Sequence, residues 1–284
     1  MQVSKIEQKA RELDEMRRVR VINSGDVDFA KYLTNDHTEQ VKRAEVWLDE
    51  MKAEASSPTK EVSHTMPWEK TKETFQFRQG EVTLYAGSNG GGKSLITGQI
   101  ALGLMKQGQS VCIASFEMKP KRSISRMLRQ FSGTNIHGPL YAGRAMYMER
   151  LINRFSNFIS GKLWFYDQQG TVNAKQVIAI TRYCAVELGI THIFIDSLMK
   201  CVPAEDDYNA QKYFIDELTA LARDHNVHIH LIHHIRKLAS EEVTPNKNDI
   251  KGTGAIADQV DNVLLVWRNK KKEQDRKSTR LNSS

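Results

Sequence analysis

The segment EVTLYAGSNGGGKSLITGQIALGLMKQG, residues 81–108, passes from a short β-rich run through four glycines into an apolar helical pattern. Glycine loses more backbone freedom on folding than any other residue, so four in eight positions need a physical reason. A loop without Cβ atoms lets backbone N–H groups close on a bulky anion and permits positive φ angles. Gly87, Gly92, Lys93 and Ser94 fit G-x-x-x-x-G-K-[ST], with Ser88, Asn89, Gly90 and Gly91 completing the cradle. In that pattern the lysine reaches the β and γ phosphates and the hydroxyl ligates Mg²⁺. The flanks agree with it. EVTLYA (81–86) reads as a strand, and Leu95, Ile96, Ile100, Leu102 and Leu104 line the following helix, with Gly108 as its C-terminal cap. That helix aims the positive end of its dipole at the phosphates.

Working outward, six apolar strands alternate with helices, which predicts a mostly parallel sheet covered on both faces, an α/β fold of the P-loop class. The strands are 81–86, SVCIASF (110–116), KLWFY (162–166), THIFID (191–196), VHIHLIH (227–233) and NVLLVW (262–267). Helices are expected over 171–189 and 207–226, the second with an apolar stripe of Phe214, Leu218, Leu221 and Ala222 that marks a core face. Residues 1 to about 55 read as charged helices broken near NSGD (23–26). Asp36 and Glu39 there resemble a capping box ahead of an amphipathic helix over Val41–Met51. SSPTKEVSH (56–64) reads as a linker. The domain plan is therefore a charged helical segment and linker over 1–65, an ATPase domain over 66–270 and a basic tail over 271–284.

The 284 residues carry a net charge of +7. Residues 270–284 supply +4 of it, through six basic residues against Glu273 and Asp275, so charge is weak support for a nucleic-acid partner. No run approaches the roughly 20 apolar residues needed to cross a bilayer, and the N-terminus is too rich in acids for a signal or transit peptide. A cytosol-like location and no membrane partner are expected. Cys112, Cys184 and Cys201 lack C-x-x-C spacing and are expected to be reduced.

Ligands of open α/β sheets bind at the carboxyl ends of the strands, so polar residues just past those ends are the site candidates. Asp196, closing THIFID, stands where a P-loop enzyme holds its second Mg²⁺ carboxylate, although a helix-capping aspartate would also fit. Glu117, closing SVCIASFE, would face the γ-phosphate and deprotonate the attacking water, against the plainer reading of an exposed strand-end glutamate. His234 would be a neutral donor reporting whether the terminal phosphate is present. His225, His228, His230, His233 and His234 crowd into ten residues. With no cysteine or carboxylate clustered beside them, they read as side chains packed along a sheet rather than as metal ligands. NKND (246–249) is similar to a guanine-reading N-K-x-D but sits in a polar loop after Pro245, so it reads as a chance match.

Taken together, GSNGGGKS, SFE (115–117), IFIDS (194–198), LIHHIRK (231–237) and DIKGTGAIADQVDNVLLVWRN (249–269) resemble the RecA-like motor domain of DnaB-type replicative helicases. The primase-helicase and Twinkle branch is nearest in its motifs, since histidine stands at the sensor position. The resemblance covers about 66–270. It implies a RecA-like core in a hexameric ring, with ATP and Mg²⁺ between subunits, single-stranded DNA in the channel, and primase or other replication proteins as partners. Carried over by position, it implies Lys93 and Ser94 on phosphate and Mg²⁺, Glu117 as base, Asp196 on Mg²⁺ and His234 as sensor. Lys251, Gly252, Thr253 and Gly254 match the family's DNA-contacting loop. There, two glycines allow close approach of backbone N–H groups to phosphates and Lys251 adds charge, with Arg236 and Lys237 near its root.

The implied mechanism is 5′ to 3′ translocation on one strand and exclusion of the other. The different-class alternative is a RecA- or KaiC-like DNA-binding ATPase without unwinding, and a prophage remnant that only binds nucleotide is a third. The family draws a trans-acting arginine from a strand beyond the one ending at Trp267, and no residue of this sequence takes that role. KSTRLNSS (277–284) resembles translated adapter sequence, so the natural frame is expected to be lost near Lys277. Residues 1–65 have no cysteine for a zinc module and too little length for a primase core. The Val41–Met51 helix would either dock on the next subunit or pack on its own domain.

Overall fold

The computed structural model describes residues 20–22, 25, 27–33, 44–45, 48–49, 51–52, 63–136, 138, 144–204, 206–238, 240, 243–252 and 254–269. In chain order the strands are β1 (Arg20–Ile22), β2 (Ser63–Thr65), β3 (Gln76–Arg78), β4 (Val82–Gly87), β5 (Val111–Ser115), β6 (Leu163–Tyr166), β7 (His192–Asp196), β8 (His228–His234) and β9 (Asn262–Val266). The helices are α1 (Phe29–Leu33), α2 (Lys93–Lys106), α3 (Pro120–Ser132), α4 (Ala145–Ile159), α5 (Ala174–Val186), α6 (Tyr208–Asp224) and α7 (Ala255–Gln259). Among the described residues, seven strands form one sheet in the order β1-β6-β5-β7-β8-β4-β9, and every pairing in it is parallel. Strand periodicity splits the core across this sheet. Leu84, Cys112, Ile193 and Leu231 face one side, under α5 and α6 with Val177, Phe214 and Leu218. Tyr85, Val111, Phe194 and Ile232 face the other, under α2, α3 and α4 with Ile100, Met127 and Phe155.

The six expected strands form within a residue or so of their expected bounds, and Phe214, Leu218, Leu221 and Ala222 are buried. Two features correct the sequence reading. Within the region expected to be charged helices, Arg20–Ile22 is a strand that pairs in parallel with β6 and covers what would be an open sheet edge. Ile22, Val27 and Tyr32 join the main core, and the Arg182 guanidinium donates to the Tyr32 carbonyl, fixing α1 on α5. Within the expected linker, Ser63 and His64 belong to β2, which forms an antiparallel hairpin with β3. Neither short strand carries enough alternating apolar residues to announce itself. The Asp36/Glu39 capping box, most of the Val41–Met51 helix, residues 56–62 and the 271–284 tail lie outside the described residues.

The histidine-rich strand is explained by packing. Beneath the hairpin, His64, His192, His230 and Tyr85 form one chain of hydrogen bonds at 3.1, 3.1 and 2.8 Å. Each neutral imidazole has one donor and one acceptor. The Tyr85 hydroxyl is fully buried, and its proton finds an acceptor only if it donates to His230 Nδ1. His230 Nε2–H then donates to His192 Nδ1, and His192 Nε2–H to His64 Nδ1. His228 stands apart from that chain, donating from Nδ1 to the Arg78 carbonyl and accepting from Thr83 at Nε2. Among the described residues, no cluster of histidine, cysteine or carboxylate could hold a metal ion.

Burial pushes His192 and His230 well below the ordinary imidazole range, and His228 down to about 4. The unfolded chain therefore binds more protons than the folded one below pH 6.5. Stability should be complete above about pH 6.5 and fall as pH drops toward 4, by about 1.4 kcal/mol per pH unit for each imidazole. Urea midpoints at pH 7.5 and 5 check this. Equal midpoints would mean that these rings are not neutral in the fold.

Candidate functional site

Strand order assembles the site. The chain leaves β4 through α2 and returns at β5, so β8 and β7 stand between those two strands. Four carboxyl ends then lie side by side at a topological switch point. Across them come Glu117 after β5, Asp196 ending β7, His234 ending β8 and Gly87 ending β4.

Between Gly87 and α2 the loop turns on Gly90 (φ 70°) and Gly92 (φ 97°), conformations that side chains with a Cβ resist. At Gly87 a Cβ would stand 2.4 Å from the Val266 carbonyl oxygen, so β4 pairs with β9 this closely only with glycine there. Ser88, Asn89, Gly90, Gly92, Lys93 and Ser94 line a cavity of about 700 Å³ together with Glu117, Asp196 and His234. Gly91 lies in the same loop, its N–H donating to the Ser88 carbonyl at 3.1 Å.

Lys93 opens α2 and is largely buried. Its ammonium donates to the carbonyls of Gly87 (2.8 Å) and Ser88 (3.0 Å) and to His234 Nδ1 (3.2 Å). Because Nδ1 accepts, His234 carries its proton on Nε2, which faces the Glu117 carboxylate at 3.7 Å. Ser197, itself fully buried, donates to the same carboxylate oxygen at 3.1 Å. Ser94 donates to Asp196 Oδ2 at 3.3 Å.

Electrostatics follow from these neighbours. Burial pulls the Lys93 ammonium below its ordinary value, with Asp196 and Glu117 opposing. The His234 contact holds Glu117 below the usual carboxylate range against its partial burial. Asp196 is pushed up, mainly by burial and then by the Glu117 charge. A dehydrated cation in a glycine cradle and a raised buried carboxylate beside a hydroxyl suit a polyphosphate and a hard divalent cation. This donor set fits Mg²⁺ with a nucleoside triphosphate.

On the far side of β8, Ile235 bridges Ile250, and Lys251 N–H donates to the His234 carbonyl at 3.0 Å. Arg236 sits at the loop's root, donating from Nη2 to the Gly252 carbonyl at 3.1 Å, while Lys237 is exposed. Gly252 has φ 98°, and a Cβ there would stand 2.5 Å from Gln211 Oε1 and 2.7 Å from Ile256 Cδ1. Its glycine is thus required by packing on α6 and α7. Gly254 has ordinary helical backbone with open space around it, and Thr253 lies outside the described residues. In NKND, the Asn246 and Asp249 side chains cap their own 3₁₀ turn, which accounts for those residues without a base-reading role.

Several cavity residues were not foreseen. Arg126 and Arg129 reach it from α3, and Gln130 beside them donates to the Leu95 carbonyl at 2.8 Å, fastening α3 to α2. The available signal was a helix that begins three residues after Glu117 and carries Lys121, Arg122, Arg126 and Arg129 without an acid. Ser197 could have been found by its place beside Asp196.

The fold and motifs agree with comparisons to known proteins. The DnaB-like helicase C terminal domain family matches residues 71–283. Among solved structures, an ATPase domain determined by itself is similar at 17% identity with a TM-score of 0.67, covering 82% of this chain and 86% of that one. A DnaB-like replicative helicase, whose structure addresses its interactions with primase, is similar at 17% identity with a TM-score of 0.65. That likeness covers 82% of this chain and 58% of the other. These two likenesses show a shared RecA-like fold. No described helix is long and apolar enough to cross a membrane. With the match extending over three quarters of its length, the chain belongs to the DnaB-like helicase C-terminal domain family.

Proposed function

We propose that this chain is an ATP-driven replicative helicase motor, which moves 5′ to 3′ along single-stranded DNA and displaces the other strand. The observation that carries this reading is the convergence of Lys93, Ser94, Glu117, Asp196 and His234 in one cavity, with the Lys251–Gly254 loop hydrogen-bonded to the same β8. Lys93 would leave the loop carbonyls for the β and γ phosphates. Ser94 and Asp196 would hold Mg²⁺, which when bound neutralises charge on the transferring phosphoryl group. Glu117, kept ionised by His234, would take a proton from water as the oxygen attacks the γ-phosphorus, and the bond to the β-phosphate oxygen breaks. His234 touches both Lys93 and the Glu117 side, so drawing the ammonium away changes its hydrogen bonding.

Lys251, Gly252, Thr253 and Gly254 would meet DNA phosphates, helped by Arg236 and Lys237 at the root. Copies of the chain would form a hexameric ring in the cytoplasm, with primase among its partners. A forked duplex with a 5′ single-stranded tail tests this: ATP-dependent displacement is expected. ATP turnover stimulated by single-stranded DNA without displacement would favour a RecA- or KaiC-like ATPase instead.

A further inference from the structure

We propose that His233, to which no role has been assigned so far, is a positioning residue that makes nucleotide binding and single-stranded DNA binding depend on each other. This rests on the function proposed above. His234 turns toward the nucleotide cavity, and His233, its neighbour on β8, turns to the opposite face and is fully buried. His233 Nε2 lies 2.6 Å from the Lys251 carbonyl oxygen. A carbonyl only accepts, so Nε2 carries the proton and Nδ1 is a bare acceptor. Nδ1 is buried and has no hydrogen-bond partner among the described residues.

A strand position filled for packing alone would favour valine or isoleucine, which leave no such acceptor stranded. The imidazole is therefore explained by the one bond it donates. Burial also keeps it neutral, with its pKa pushed down to about 4.

That bond completes a clamp. Lys251 is held at its N–H by the His234 carbonyl and at its own carbonyl by the His233 ring. Gly252 next to it is wedged against Gln211 and Ile256. The loop thus has little freedom to move independently of β8. A displacement of His234 as the terminal phosphate comes and goes is passed to Lys251 through two consecutive residues of one strand. By thermodynamic reciprocity, DNA on the loop must then alter nucleotide affinity by the same factor.

The test uses the full chain, a fluorescein-labelled oligodeoxythymidylate and Mg²⁺ with a non-hydrolysable ATP analogue. In the wild type the analogue should tighten oligonucleotide binding by about tenfold. His233→Met, which has no donor, should bind each ligand alone about as well as the wild type while that ratio falls to about one. His233→Gln, whose amide can donate to the same carbonyl, should retain most of the ratio. A role in packing alone would not separate the methionine and glutamine variants in this way.

A methionine variant that keeps the wild-type ratio would overturn the inference, as would a wild type that binds both ligands with no coupling. A wild type that binds neither ligand would strike the proposed function itself. If the methionine variant does not fold, amide exchange at Lys251 in the wild type decides. Several-fold greater protection with the analogue supports the clamp, and unchanged protection refutes it.

Discussion

Lys93→Ala should weaken Mg·ATP binding by at least about 100-fold, about 2.7 kcal/mol, with little change in melting temperature. The affinity loss follows from the position of the ammonium. It is mostly removed from water, inside a cradle of backbone groups, where a charge-assisted bond to phosphate is strong. The stability expectation follows from what remains after truncation. The Gly87 carbonyl still accepts from Ile235 N–H, and the Ser88 carbonyl still accepts from Gly91 N–H. Alanine is also the better helix former at the first residue of α2. Titration with a fluorescent ATP analogue, beside calorimetric melting, checks both halves. Unchanged affinity would remove Lys93 from the phosphate site.

Glu117→Gln should leave nucleotide affinity within about threefold of wild type while steady-state hydrolysis drops by roughly 10²- to 10⁴-fold. The amide keeps the shape and can still accept from Ser197, but it cannot take a proton from water. Because His234 lowers the pKa of Glu117, the acid limb of the kcat profile in the wild type should lie below the ordinary carboxylate value. Activity would then persist as pH falls through 4.5 and be lost only lower. An acid limb above that ordinary value, or a glutamine variant with retained turnover, would mean that the base is another group.

Much of this was legible in the sequence because it is encoded locally. The glycine loop needs its neighbours in the chain to be a strand and a helix, and each of the six foreseen strands is a short run of β-branched and aromatic residues. Asp196, Glu117 and His234 could be singled out since each directly follows such a run, and a parallel sheet sends all those ends to one side. What was missed depends on pairing between distant segments. Arg20–Ile22 is too short to show alternation, and it becomes a strand because β6 offers an edge 144 residues away at Arg20↔Trp164. Ser63–Thr65 is ordered by its hairpin partner Gln76–Arg78 and by the His64–His192 bond.

The histidines illustrate the same limit. Periodicity correctly put His228, His230 and His234 on one face of β8. It could not reveal that the first two serve core packing while the third reaches Lys93. Gly252 was expected to be small for the sake of a ligand. Gln211, 41 residues earlier in the chain, turns out to require it.

Titrating the wild-type chain with Mg²⁺ and an ATP analogue in a calorimeter tests the central claim most directly. One saturable site per chain is expected, lost when EDTA removes the cation and lost again in Lys93→Ala. A folded chain that releases no heat and retains no analogue at millimolar concentration would contradict the assignment of this cavity to nucleotide, and with it the motor.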